Sequence, residues 1–218
     1  MSNVMMGVTG GYDEVPCRER VVIAIDCSGS TLELMQGAWE GCTRLDAMKK
    51  ASLAFIRRKV ELQAKDPRCM ADIGVVAFND GVVDCVGLLP CDRSMRALEK
   101  LLEFVNSDGG TGFCPPLTQA GRILARGRRR ASTDLDRLIF MSDGWCNQDG
   151  DPVEAADSLK EEGVIIDTIG VAAEPPDVDE DGLRAISSLL DGKARYRFIS
   201  DCRQLTDCFI SLAGGLSG

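Results

Sequence analysis

A chain of 218 residues is one ordinary domain's worth of sequence, long enough to bury a substantial core. Its 34 acidic residues outnumber 25 basic ones for a net charge of −9, which argues against a nucleic-acid binder, and aromatics at 5% leave few stacking platforms for bases or sugars. The absence of histidine excludes Ser-His-Asp catalysis, Cys-His catalysis and His-ligated metals together.

Ten cysteines is a high count, yet none forms a C-x-x-C pair. The most regular spacings, Cys85 with Cys91 and Cys202 with Cys208, do not match zinc sites, and thiols inside apolar runs behave as small buried hydrophobes. The opening Met1-Ser2-Asn3-Val4 has neither a basic n-region nor an apolar h-region, so no secretory signal is expected. No apolar run approaches ~18 residues, so no membrane span is expected either. These features together predict a cytoplasmic protein with reduced thiols and no disulfide.

Residues 1–19, Gly-rich and mixed, read as an N-terminal arm, and 20–218 as a single domain. Val21-Val22-Ile23-Ala24-Ile25 is an apolar run without alternation, the pattern of a strand buried on both faces. It runs straight into Asp26-Cys27-Ser28-Gly29-Ser30, a turn that presents one carboxylate and two hydroxyls at spacing two. All three are hard oxygen ligands, suited to Mg2+, Mn2+ or Ca2+ and poorly suited to zinc or copper. The plainer alternative is a Ser-rich strand end whose hydroxyls bond their own backbone.

An irregular insert at 31–43 precedes a helix at 44–64, which Asp66-Pro67 ends. A strand at 70–78 and another at 82–89 flank Asn79-Asp80-Gly81, too short a link for a crossover, so the second strand is antiparallel and lies at an edge. Helices are expected at 94–105 and 116–125, around a Gly-Gly-Thr-Gly loop at 109–112. A strand at 135–141 ends in Ser142-Asp143-Gly144. There follow a helix at 152–162, a strand at 164–170, an acidic loop at 174–181, a helix to about 190, a short strand at 195–199 and a last helix at 201–213. Alternating strands and helices predict an α/β, Rossmann-like, doubly wound sheet of about six strands, mostly parallel, with one antiparallel edge strand and helices on both faces. Ligands of such sheets bind at the carboxyl ends of the strands, where Asp26 and Asp143 both fall.

Asp26-x-Ser28-x-Ser30, Thr111 in its glycine loop and Asp143 in Met141-Ser142-Asp143-Gly144 come in an order that resembles the von Willebrand factor A domain and its metal-ion-dependent adhesion site. The resemblance covers about 20–213. It implies that Ser28, Ser30 and Thr111 coordinate a divalent cation, usually Mg2+, with Asp26 and Asp143 acting directly or through water. It also implies that a protein partner's Glu or Asp carboxylate completes the shell. Neutral hydroxyls leave such a cation electrophilic, and Gly110 and Gly112 are expected to let the loop backbone approach it. Cys27 stands where the family often has an apolar residue and reads as packing. The Asp143-Gly144-Trp145-Cys146 run is similar to stand-alone bacterial members of the tellurite-resistance TerY type.

The basic run at 126–130 reads as solvated cations complementing a helix terminus, and the acidic loop at 174–181 as a solvated loop on the face of the metal site. Trp39 and Trp145 fall in loops on that face, as partner anchors or as core. A Mg2+-dependent phosphohydrolase or phosphotransferase of haloacid-dehalogenase type is the rival reading. Such enzymes carry a second Asp two residues after the nucleophile, where this chain has Ser28, so a non-enzymatic module is expected. The third reading is a scaffold whose metal site stays empty.

Overall fold

The five apolar residues at 21–25 form the middle of the central strand, β1 (Arg18–Asp26), which is flanked by parallel neighbours on both sides. The computed structural model describes residues 18–35, 41–126, 135–147 and 150–214. Trp39, most of the arm at 1–19 and most of the basic run at 126–130 lie outside those residues; β1 itself opens at Arg18, inside the stretch read as arm.

After β1 come α1 (Arg44–Lys65), β2 (Met70–Phe78), β3 (Val82–Pro90), α2 (Cys91–Phe104) and α3 (Cys114–Arg126). The chain continues through β4 (Leu135–Ser142), α4 (Pro152–Glu161), β5 (Ile165–Val171), α5 (Glu180–Ile186), the two-residue strands β6 (Leu189–Leu190) and β7 (Lys193–Ala194), β8 (Tyr196–Ile199) and α6 (Cys202–Ala213). The main sheet has the order β3-β2-β1-β4-β5-β8, with only the β2–β3 pair antiparallel. The expected doubly wound architecture is therefore present.

Strand alternation decides which helix covers which face. Val21, Ile23 and Ile25 of β1 pack with α1, α2 and α6, whereas Val22 and Ala24 pack with α3, α4 and α5. Phe140 lies at the centre of the second layer, its ring 5.0 Å from that of Phe78 and 5.1 Å from that of Phe113. No described helix is long and apolar enough to cross a membrane.

One expected element differs. The helix read to about 190 stops at Ile186, and Leu189–Ala194 forms a hairpin instead. Asp191 and Gly192 at its turn have φ of 51° and 75°, the pair of positive values a type I′ turn requires. Ser187 still closes the last helical turn, its N–H on the Leu183 carbonyl, but its backbone is extended, and Ser188 is turned to β5: its N–H donates to Ile166 O and its Oγ accepts from the Ile166 N–H.

Candidate metal centre

Winding reverses between β1 and β4, so their carboxyl ends open a crevice with no crossover above it. Asp26 ends β1, and Asp143 follows the last residue of β4. A short 3-10 helix, Gly29–Leu32, carries Ser30, and the loop before α3 carries Thr111. Backbone hydrogen bonds bind these loops together: Gly29 N–H to Gly109 O at 3.0 Å, Asp108 N–H to Cys27 O at 3.0 Å, Gly112 N–H to Asn79 O at 2.8 Å and Asn147 N–H to Thr111 O at 3.0 Å.

All five residues read from the sequence meet at this point. Ser28 Oγ lies 3.1 Å from Ser30 Oγ; Ser30 Oγ donates to Asp143 Oδ1 at 2.9 Å and Ser28 Oγ at 3.4 Å. Thr111 lines the same cleft, of about 410 Å³, and a side-chain carbon on Gly144 would sit 3.2 Å from Thr111 Oγ1 and 3.6 Å from Ser30 Oγ. Asp26 lies deeper. Its Oδ1 accepts from the Ser28 N–H at 2.8 Å and its Oδ2 from Ser142 Oγ at 2.6 Å.

Burial, and then the nearby Asp143 charge, push the Asp26 carboxyl up from 3.8 to about 7. Burial also raises Asp143, against hydrogen bonds from Ser30 and from Arg44. Two buried acids side by side are costly to ionise unless a positive charge joins them, and the donor set around them is all oxygen. That chemistry fits a hard divalent cation. The described residues contain no group of three or more His, Cys, Asp or Glu that could hold a metal ion, so a cation here would have to draw on the hydroxyls as well. Cys27, beside Asp26, is fully buried, donates to Phe78 O at 3.1 Å and has its thiol pushed up to about 12 by burial. It packs, as expected.

Two residues of the glycine loop have different reasons for being glycine. Gly109 has φ of 74°, a left-handed conformation. At Gly110 a side-chain carbon would lie 2.5 Å from Asp80 Oδ1 and 2.8 Å from Asn147 Oδ1, so the missing side chain makes room for those two residues.

Sequence reasoning missed Arg44. It follows the N-cap Thr43, whose capping box with Asp46 sets the start of α1, and its guanidinium turns into the cleft. There Nη1 reaches Asp143 Oδ2 at 3.2 Å, and Nη2 reaches Glu33 at 2.5 Å and Asp177 at 3.7 Å. Asp177 belongs to the acidic loop, so that loop does lie on the site's face. Glu33 is held by the insert, whose two sides pair through Met35 N–H to Cys42 O, Arg44 N–H to Glu33 O and a Leu34–Thr43 bridge. The available signal was the cation itself, at a helix position that favours an anion.

The family model for the von Willebrand factor type A domain matches residues 21–145, more than half of the chain and all five of these residues. The chain belongs to the von Willebrand factor type A domain family. Among solved structures, a von Willebrand factor type A protein from Catenulispora acidiphila is 25% identical with a TM-score of 0.69, covering 90% of this chain and 42% of that one. This chain thus spans well under half of that relative. The vWF domain of the type V pili tip protein Mfa5 from Porphyromonas gingivalis, 14% identical, aligns over 92% of this chain and 94% of its own with a TM-score of 0.69. Proximal thread matrix protein 1 from the mussel byssus, solved with zinc at its metal-ion-dependent adhesion motif, is 16% identical over 91% of this A domain and 46% of that chain, with a TM-score of 0.64. No curated protein gives a significant match.

Proposed function

We propose that this A domain is a protein-binding module whose recognition surface is a divalent cation, Mg2+ or else Mn2+ or Ca2+. Ser28, Ser30 and Thr111 hold the ion, Asp26 and Asp143 act directly or through water, and a Glu or Asp carboxylate of the partner completes the shell. The observation that carries the reading is the convergence of three neutral hydroxyls on two buried acids at a cleft open to solvent. Hydroxyl ligands leave the bound cation residual positive charge, and so an appetite for an outside anion. The zinc at the mussel protein's motif supports a divalent cation at this place in the fold.

A protein is the partner that the rim suits. Trp145, 58% exposed, lines the cleft, and Leu32 and Leu34 are exposed on the adjoining insert, giving apolar contact around a charged centre. A cytoplasmic place of action and kinship with the tellurite-resistance type, carried by the Asp143–Cys146 run, belong to the same reading. No catalytic role is assigned.

Capture of a partner on the immobilised chain, in Mg2+ and in EDTA, tests the reading. Asp143→Ala and Thr111→Ala are expected to abolish capture while their circular dichroism melts stay cooperative, since both residues lie at the sheet's rim. Undiminished capture in EDTA, or by folded Asp143→Ala, removes the site as the recognition surface. An aryl phosphate incubated with the Mg2+-loaded chain is expected to stay intact; turnover that vanishes in Asp26→Asn revives the phosphohydrolase.

A further inference from the structure

Arg44 is accounted for neither by the helix it begins nor by the metal motif it adjoins. At the first position of α1 the helix dipole disfavours a cation, yet this side chain is 3% exposed. Burying a guanidinium is costly unless its donors are matched, and here Nε is buried without a hydrogen-bond partner among the described residues.

Its three anionic neighbours are unequal. Asp143 is fully buried, fixed at the end of β4, and turns Oδ1 to the two serine hydroxyls and Oδ2 to Arg44. Glu33 and Asp177 have side chains 63% and 45% exposed and come from surface segments, so water or another anion can take their places. The guanidinium fork therefore has one permanent carboxylate and a second position that is filled exchangeably from the protein's own surface. Among the described residues lining the cleft it is the one cationic side chain.

We propose that Arg44 is the second anchor of the incoming carboxylate: one oxygen of that group completes the cation's shell, and the other takes the guanidinium in place of Glu33. The assignment rests on the metal-dependent reading above. It makes Arg44 a specificity residue for a two-oxygen anion, because only a ligand with a second oxygen can bridge the cation and Nη2, the donor that Glu33 now occupies and that a planar guanidinium holds in fixed direction beside Nη1 on Asp143. It makes Glu33 an internal competitor, released when ligand arrives. It also predicts opposite effects on the two binding events, since a positive charge one carboxylate away from the cation opposes the cation and favours the anion.

The test uses Mn2+ as the metal and acetate as the carboxylate, read by the water-proton relaxivity of the Mn2+-loaded chain, which falls as acetate displaces inner-shell water. Arg44→Gln is expected to bind Mn2+ several-fold more tightly and to need about tenfold more acetate, the size of one lost charge-assisted hydrogen bond. Arg44→Lys keeps the charge without the fork, so its Mn2+ affinity stays near wild type while its acetate response weakens. Glu33→Gln is expected to respond at lower acetate than wild type. A folded Arg44→Gln that binds Mn2+ more weakly would make Arg44 a mere support for Asp143 and overturn the proposal, as would unchanged acetate titrations across all three variants. A wild-type chain that takes up no Mn2+ at all fails earlier, at the metal-dependent reading itself.

Discussion

Asp26 shows how far one residue can be read. Its carboxylate sits where an apolar strand turns polar, and both of its oxygens already accept hydrogen bonds, from the Ser28 N–H and Ser142 Oγ. Those bonds lower its proton affinity, but burial and Asp143 raise it further, to about 7. The folded metal-free chain thus holds a proton that the unfolded chain releases above the ordinary value of 3.8. The contribution to stability is full below that value and is lost as pH rises through about 7. In EDTA, wild type is expected to lose thermal stability relative to Asp26→Asn as pH is raised from about 5 to about 8. Mg2+ is expected to restore wild type most strongly at the alkaline end, because the cation replaces the missing proton. Melts of both proteins across pH, with and without Mg2+, make the comparison; parallel curves in EDTA would deny Asp26 the raised affinity. That Asp26, Ser28, Ser30 and Asp143 share one sheet edge was legible because they stand where apolar strands end in polar turns, whereas Thr111 was singled out by the family resemblance alone. Arg44, Glu33 and Asp177 were not legible, because each is an ordinary surface residue until folding brings 33, 44, 143 and 177 together.

Among the elements, the loops above the sheet carry the residues of the candidate site and the strands aim them. The strand run at 70–78 and its Asn-Asp-Gly turn were legible, and the turn has a second use that pattern could not reveal. Asn79 Nδ2 donates to Asp108 O at 3.1 Å, and Asp80 Oδ2 accepts from the Gly110 N–H at 3.0 Å, so the β2–β3 turn braces the loop that holds Thr111. The Asp191-Gly192 hairpin shows the opposite lesson: a local turn signal lay in plain view while the apolar periodicity continued the helix across it. Gly110 tests the brace. Its φ is not among the positive ones, so alanine is allowed by the backbone, yet its side chain would press on Asp80 and Asn147. Gly110→Ala is expected to cost about 1–3 kcal/mol, as small overpacking does. Because Asn147 Oδ1 accepts from the Thr111 N–H at 3.1 Å, the displacement reaches the site, and Mg2+ affinity is expected to fall with it. Calorimetric Mg2+ titration beside a denaturant melt checks both; an unaltered affinity would mean that the brace yields without moving Thr111.

Across the whole molecule, a buried ion-pair cluster and the candidate metal site lie at opposite ends of the same strands. Arg137, two residues into β4, is fully buried, with Nε on Asp167 Oδ2 at 2.6 Å and Nη1 on Leu212 O at 2.9 Å and Glu19 Oε1 at 3.3 Å. Arg195 Nε meets the other Asp167 oxygen at 2.8 Å, so one buried carboxylate answers two buried guanidinium groups. Six residues of extended strand separate Arg137 from Asp143, roughly 20 Å. No sequence pattern marks this cluster, since Arg137 and Asp167 each interrupt an apolar strand and look, alone, like an exposed position. Removing the shared anion leaves Arg137 with Glu19, which it shares with Lys59, and takes from Arg195 the carboxylate its Nε meets; breaking a buried pair in this way costs about 3–5 kcal/mol. Asp167→Ala is therefore expected to lower the denaturation midpoint severely, while the fraction still folded binds Mg2+ with wild-type affinity. Asp143→Ala is expected to do the reverse, because Arg44 keeps Glu33 and Asp177 as partners when that carboxylate goes. Urea melts and Mg2+ titrations on the two variants, side by side, decide the matter. Loss of both properties in Asp167→Ala at temperatures where it remains folded would mean that the two ends of the sheet are coupled.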